Sequence, residues 1–157
     1  MRLSSFSASS VLAALGLFAA CALAQYTNVL TLNPPEKVIG KRGDTATASF
    51  ELVLKNGFHV NSNKPNDTYL IPLRFTWTDG AAQAVETLFP EPKQEKYAFS
   101  PKPVSVFSGS FRVQQKFKIS PTAVNGFVTG KLRYQACNDH ECLPPKNIEI
   151  KVPLEVR

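Results

Sequence analysis

Thr45–Leu54, which reads Thr-Ala-Thr-Ala-Ser-Phe-Glu-Leu-Val-Leu, is the stretch that decides the class of fold. Alanine, phenylalanine and leucine occupy every second position, and threonine, serine, glutamate and valine fill the others. Successive side chains of a β-strand point to opposite faces, so a period of two residues predicts a half-buried strand. Asn56-Gly57 follows as a strong turn signal. The stretch therefore indicates a β-protein.

The same alternation extends to both sides of this strand. Further strands are predicted over 29–32, 58–60, 69–78, 85–89, 107–119, 127–137 and 147–156. The proline-rich segment 90–103 is the longest stretch without a regular pattern. About eight short strands separated by turn residues are typical of a two-sheet β-sandwich, so an all-β fold is predicted.

The N-terminal segment has the pattern of a secretory signal peptide. Met1-Arg2 gives a short basic start, and the apolar run at 11–23 is too short to span a bilayer as a permanent helix. Small residues in Ala22-Leu23-Ala24 stand at the positions that signal peptidase reads. We therefore predict a signal peptide at 1–24 and one mature domain at 25–157, located in the periplasm or secreted.

Charge excludes one class of partner. The chain has 18 Lys and Arg against 12 Asp and Glu, a formal net charge of +6. The basic residues are scattered among the predicted strands and turns, with no run of five or more. Nucleic-acid binding usually needs a continuous basic patch, so no nucleic-acid partner is predicted.

Three cysteines are present in the chain. Cys21 lies in the N-terminal segment. A lipoprotein anchored through Cys21 is a less favoured alternative, because Phe18 is bulkier than such cleavage sites usually accept. Cys137 and Cys142 remain in the mature domain. A single pair close in sequence in an exported domain most simply forms one disulfide.

The Cys137–Cys142 pair encloses Asn-Asp-His-Glu and is followed by Pro144-Pro145, which forbids a helix. Closing so short a loop restricts the unfolded chain by only about 2 kcal/mol in the chain-entropy model. A domain of this size buries enough surface to fold without that contribution. The favoured interpretation is therefore an exchangeable, redox-active pair on an exposed turn.

Two other interpretations of the pair stay open. One is an inert structural disulfide in a secreted binding module. The other is a metal site that uses the two cysteines with His140 between them and His59 elsewhere. A structural zinc site needs a second ligand pair at matching spacing, and none is evident. Neither a metal nor a cofactor is predicted.

The stretch 134–145 and the closing Val152-Pro153-Leu154 resemble the N-terminal periplasmic domain of the thiol:disulfide interchange protein DsbD and its stand-alone relatives. The motifs Tyr-Gln-x-Cys, Cys-x-Pro-Pro and Val-Pro-Leu carry the resemblance, which runs from about Leu30 to Val156. It implies an immunoglobulin-like sandwich. It also implies a cysteine pair that passes reducing equivalents to periplasmic acceptors.

The resemblance further implies roles for particular residues. Cys137 would exchange disulfides with partners and Cys142 would be the resolving sulfur, although four residues separate them where the best-known members have five. An aromatic cap over the disulfide would fall at Tyr97, with Phe99 as the alternative. Lys96 stands where the family has a second acid. Three residues are candidate modulators of the site: Glu95, His140 and Tyr134.

The partners implied by the resemblance are thioredoxin-fold periplasmic proteins and a separate membrane-embedded electron donor, because this sequence shows neither the transmembrane domain nor the C-terminal thioredoxin-like domain of DsbD. No small-molecule cofactor is expected. The resemblance thus predicts electron transfer by thiol-disulfide exchange. The competing interpretation is a secreted immunoglobulin-like binding module with an inert disulfide.

Overall fold

The computed structural model describes residues 28–157, which form twelve β-strands and no helix. No helix that could cross a membrane is therefore found in that range. The prediction of an all-β protein is confirmed, whereas the predicted signal peptide at 1–24 and Cys21 lie outside the described residues. The strands in chain order are β1 (Leu30–Asn33), β2 (Val38–Gly40), β3 (Thr45–Leu54), β4 (His59–Asn61), β5 (Arg74–Trp77), β6 (Ala82–Leu88), β7 (Lys93–Glu95), β8 (Val104–Ser108), β9 (Ser110–Ile119), β10 (Gly126–Tyr134), β11 (Ala136–Cys137) and β12 (Lys146–Val156).

Eight of the strands form two four-stranded sheets that pack against each other. One sheet has the order β1-β3-β9-β6 and the other the order β2-β12-β10-β5. Aromatic rings join the two sheets: the Phe50 ring of β3 lies 5.6 Å from the Phe75 ring and 5.4 Å from the Trp77 ring of β5, centroid to centroid. The predicted immunoglobulin-like β-sandwich is confirmed.

The core between these sheets follows the sequence pattern, with one polar exception. The alternate residues of β3 from Ala46 to Leu54 are buried, as predicted. Gln115 of β9 faces the same core and is also buried. Trp77 Nε1 donates a hydrogen bond to Gln115 Oε1 at 2.9 Å, and Gln115 Nε2 donates to the Glu86 carbonyl at 2.8 Å. These bonds replace the ones that water would make, so the amide can remain in the core.

The remaining four strands form a third sheet, in the order β11-β4-β8-β7, which was not predicted. It arises because two of the predicted strands are each divided into two shorter strands that belong to different sheets. The predicted strand 107–119 breaks at Gly109, whose φ of 69° lies in the left-handed region that glycine adopts readily. As a result β8 joins the third sheet and β9 the first. The predicted strand 127–137 breaks at Gln135, between β10 of the second sheet and β11 of the third.

Two segments beside the third sheet also differ from the predicted pattern. The predicted strand 69–78 is a strand only over β5, and Pro72 has no amide hydrogen to give to a ladder. Leu70 instead packs against two valines of β8. The segment 90–103 is irregular except for β7, which pairs with β8. Together with the third sheet, these segments surround the cysteine pair.

Candidate functional site

Cys137 and Cys142 are joined by a disulfide in a tight hairpin that begins with β11. Their Cα atoms are 4.0 Å apart, and a backbone bridge pairs the two residues. The Asn138 amide donates to the Glu141 carbonyl at 2.9 Å. Asn138 Oδ1 in turn accepts hydrogen bonds from the His140 and Glu141 amides, at 2.8 and 2.9 Å. The asparagine thereby fixes the four-residue turn that the disulfide closes.

The two cysteines differ in their access to solvent. Cys137 is 0% exposed, whereas Cys142 is partly exposed. Solvent therefore reaches Cys142 but not Cys137. The resemblance assigned the exchanging role to Cys137. The burial favours the opposite assignment, in which Cys142 meets the partner and Cys137 is the internal sulfur.

The side chain of Gln135 joins this hairpin to neighbouring segments by hydrogen bonds. Its Nε2 donates to the Leu143 carbonyl at 3.2 Å, just after the disulfide. Its Oε1 accepts hydrogen bonds from Asn61 Nδ2 on β4 and from the Ile71 amide, each at 3.4 Å. The hairpin therefore has a fixed base, which was not predicted from the sequence.

His59 is the neighbour of Cys137 across the β4–β11 ladder. The two residues lie opposite each other, and opposite residues of an antiparallel pair project their side chains from the same face of the sheet. His59 is 3% exposed, and its Nε2 has no hydrogen-bond partner within residues 28–157. From the sequence His59 was considered only as a remote metal ligand. Its position between Phe58 and Val60 in a predicted strand was the indication in the sequence that His59 could lie within a sheet.

The rings of His59, Tyr97 and Phe99 form a stack. The centroids of His59 and Tyr97 are 4.1 Å apart, and those of Tyr97 and Phe99 are 5.3 Å apart, with interplanar angles of 16° and 4°. The Tyr97 hydroxyl donates a hydrogen bond to Glu95 Oε2. The structure thus brings Glu95, Tyr97 and Phe99 together beside the ladder partner of Cys137.

Burial and charge act on the two titratable rings of this stack. Burial lowers the pKa of His59 below its ordinary value of 6.5, and the charges of Glu95 and Asp139 oppose that shift. Burial also raises the pKa of Tyr97 above its ordinary value of 10, together with the hydrogen bond and charge of Glu95 and the charge of Asp139. Both rings are therefore mainly neutral near pH 7. Asp139, in the cysteine turn, is close enough to influence both.

The other two predicted residues lie apart from the stack. Tyr134 is 3% exposed in the main hydrophobic core, where burial raises the pKa of its phenol. His140 is exposed at the tip of the cysteine turn. Within the described part of the chain, neither ring contacts the stacked rings.

The metal interpretation gains no support from the arrangement of side chains. In residues 28–157, no group of three or more His, Cys, Asp and Glu side chains is placed to hold an ion. His59 and Cys137 are ladder neighbours, but the cysteine sulfurs are bonded to each other.

A family model described as "Thiol:disulfide interchange protein DsbD, N-terminal" matches residues 30–154. The matched range contains the cysteine hairpin and the stack of rings, and it reaches from the first strand into the last. No curated protein sequence matches the chain.

Among solved structures, the chain is similar to the N-terminal periplasmic domain of ScsB from Proteus mirabilis, with a TM-score of 0.60 and 12% sequence identity. The match covers 80% of this chain and 47% of that chain, so this chain spans about half the length of its structural relative. The N-terminal domain of Neisseria meningitidis DsbD in the reduced form has a TM-score of 0.47 and 16% identity, and the match covers 76% of this chain and 83% of that chain. The similarity to ScsB shows a shared fold.

Proposed function

The chain belongs to the family of DsbD N-terminal domains, and from this membership we propose that its Cys137–Cys142 disulfide carries electrons between thioredoxin-fold proteins in the periplasm. The family supports a role in thiol-disulfide interchange, and interaction with thioredoxin-like proteins, in general terms. The cysteine pair that reacts, the order of attack and the direct partners are the proposal.

The observation that carries this proposal is the difference in access between the two cysteines. Thiol-disulfide exchange needs one sulfur that an incoming thiolate can reach and a second sulfur that leaves. The partial exposure of Cys142 supports the first role for it, and the burial of Cys137 supports the second. A disulfide that only braced the fold would not need this difference, and its short loop would contribute only about 2 kcal/mol.

Reduction of the domain proceeds in two steps. The thiolate of the partner attacks Cys142 Sγ and forms a mixed disulfide, while the electron pair of the broken S–S bond stays on Cys137 Sγ, which takes up a proton. The second thiol of the partner, once deprotonated, attacks the mixed disulfide and releases Cys142, which is protonated in turn. The domain gains two electrons and two protons, and the dithiol of the partner becomes a disulfide. The same steps in reverse pass the electrons to an acceptor disulfide.

Tyr97 is proposed as a movable cover of the disulfide, within a cap segment defined here as residues 95–99. Its ring stacks on His59, the ladder partner of Cys137, and its hydroxyl is held by Glu95 at the end of β7. The cap segment is irregular after Glu95 and both of its rings are only partly buried, so it can open at low cost. A closed cover excludes small oxidants and thiols, and a docking partner displaces it.

The electrons are proposed to enter from a separate membrane-embedded donor and to leave to periplasmic acceptors. DsbD N-terminal domains are periplasmic. No cofactor is required for this transfer, because both electrons travel as the electron pairs of sulfur–sulfur bonds.

An exchange experiment on the native domain tests the proposed function. The oxidised domain is mixed with one equivalent of reduced thioredoxin and quenched with acid, and its free thiols are then alkylated in denaturant and counted by mass spectrometry. We expect alkylation of both Cys137 and Cys142 with an unchanged circular dichroism spectrum before the quench, and no alkylation when the thioredoxin thiols are blocked beforehand. A disulfide that thioredoxin reduces only in the denatured domain would instead indicate the binding module with an inert structural disulfide.

A further inference from the structure

The buried Nε2 nitrogen of His59 has no role in the proposed function. Asn61, two residues further along β4, has one paired and one unpaired atom: its Nδ2 donates to the Ile71 carbonyl at 3.0 Å, whereas its Oδ1 has no partner in residues 28–157. Ser105 of β8 is paired, since its Oγ donates to Ser62 Oγ at 2.8 Å. His59 Nε2 has no such partner in residues 28–157. A buried nitrogen without a partner is destabilising, so its presence suggests a partner that forms in another state of the protein.

The oxidised state explains why that partner is missing. Cys137 lies opposite His59 in the ladder, where Cβ atoms are about 5 Å apart, close enough for an imidazole to reach the facing sulfur. In the disulfide, the Cys137 sulfur carries no proton and is a poor hydrogen-bond acceptor. After reduction the same sulfur is a thiol or a thiolate, which can donate or accept a hydrogen bond.

We propose that His59 is the proton partner of Cys137: its Nε2 hydrogen-bonds to Cys137 Sγ once the disulfide opens, and it transfers the proton that this sulfur gains or loses. The proposal rests on the proposed redox function. It assigns a chemical role to a residue for which the sequence had suggested only a metal.

The proton transfer can be followed in both directions. When a partner thiolate attacks Cys142, the electron pair of the S–S bond moves to Cys137 Sγ, which leaves as a buried thiolate. The imidazole donates its Nε2 proton to this thiolate and takes a replacement from water at its other nitrogen, so the ring ends the step neutral. When the dithiol later reduces an acceptor, the ring accepts the proton of Cys137 as the sulfur re-forms its bond to Cys142.

The surroundings of the ring suit this relay. Tyr97 covers one face of the imidazole, and the charged groups that act on it are Glu95 from β7 and Asp139 from the cysteine turn. Burial lowers the pKa of His59, so the ring is mainly neutral near pH 7 and can both give and accept a proton. The negative charges of the two carboxylates favour the protonated imidazole and so limit how far burial lowers its pKa.

Titration of Cys137 tests the inference. In a Cys142→Ala background, the thiolate of Cys137 is followed by its ultraviolet absorbance across pH, with and without His59→Phe. Phenylalanine keeps a ring for Tyr97 to stack on and removes both nitrogens. We expect the Cys137 thiolate to form at higher pH in the His59→Phe protein. The inflection from the imidazole should disappear, yet it should persist in His140→Gln, which removes the other histidine of the chain. An identical titration curve with and without His59 would overturn the inference.

Kinetics separate this inference from the proposed function. Reduction of the disulfide by reduced thioredoxin should slow by about 100-fold in His59→Phe, the scale of a lost proton-transfer group. His59→Gln, whose amide can hydrogen-bond to the thiolate but cannot transfer a proton, should recover only the part of the rate that comes from the hydrogen bond. If the parent protein exchanges with thioredoxin and His59→Phe exchanges equally fast, His59 is not the proton partner although the redox function stands. If the parent protein itself does not exchange, the proposed function is lost. Matching melting temperatures for the oxidised forms exclude a folding defect.

Discussion

The Tyr97 ring lies nearly parallel to the His59 ring, with centroids 4.1 Å apart, and thereby joins the cap segment to the strand beside Cys137. Opening of the cap segment must break this stack. The Phe99 ring lies beside both of these rings, with its centroid 5.3 Å from that of Tyr97 and 6.4 Å from that of His59, and it is nearly parallel to each. For the movable cover proposed above, the stability of these ring contacts would set how often the site is open.

The first prediction is that Tyr97→Ala opens the site without unfolding the domain. Alkylation of the reduced cysteines should accelerate by roughly tenfold, as for a cover that is open about a tenth of the time. The free energy of unfolding should fall by only about 1–2 kcal/mol, because the ring is partly exposed. Alkylation kinetics and urea unfolding measure the two effects.

Tyr97→Phe is the matched control for the cover. It keeps the stack on His59 and removes the hydrogen bond to Glu95, so most of the protection should remain. A loss of about 3–5 kcal/mol in Tyr97→Ala with unchanged alkylation would mark Tyr97 as an ordinary core residue. Phe99 would then become the candidate cover.

The second prediction concerns which cysteine traps a partner. Because Cys142 is partly exposed and Cys137 buried, Cys137→Ala should form a mixed disulfide through Cys142 with a thioredoxin that lacks its second cysteine and carries thionitrobenzoate on the first, which leaves as the new bond forms. Cys142→Ala should accumulate far less, since the remaining sulfur is enclosed. Non-reducing gels and mass spectrometry give the yields. Stronger trapping by Cys142→Ala would restore the assignment that the resemblance implied.

The fold was predictable where the pattern of side chains is local. β3 has one face in the core and one in solvent, so strict alternation marks both its ends. The third sheet was not predictable, because the breaks at Gly109 and Gln135 depend on which distant strands each half pairs with. A continuous alternating pattern does not indicate where one strand ends and the next begins to pair with a different neighbouring strand.

The candidate site was likewise predictable only where its residues are close together in the chain. Cys137 and Cys142 stand close together in the chain, so their pairing could be inferred from the sequence. The place of His59 depends on the register between β4 and β11, which are far apart in the chain. Gln115 shows the same limit in the core, since its partners Trp77 and Glu86 come from two other strands.

The third prediction is that reduction of the disulfide leaves the fold intact. The six-residue loop should add only about 2 kcal/mol through chain entropy, so the melting temperature should fall by about 5–10 °C on reduction. The core bonds of Gln115 and the ring contacts between the sheets do not involve the cysteines. Calorimetry of the oxidised and reduced forms measures the difference, and a reduced form already unfolded at room temperature would show that the disulfide is structural.

The last prediction is a pH dependence of stability that comes from His59. Burial lowers the pKa of the folded-state imidazole below its unfolded value of 6.5, so between the two values the unfolded chain binds more protons than the folded one. The contribution of the neutral ring to stability is therefore complete above about pH 6.5 and is lost as the pH falls through the folded-state pKa. Urea unfolding of the oxidised protein from about pH 7.5 to pH 5 should show a larger loss of stability than His59→Phe shows over the same range, because phenylalanine does not titrate. Parallel curves for the two proteins would mean that His59 is not held in its neutral form by burial.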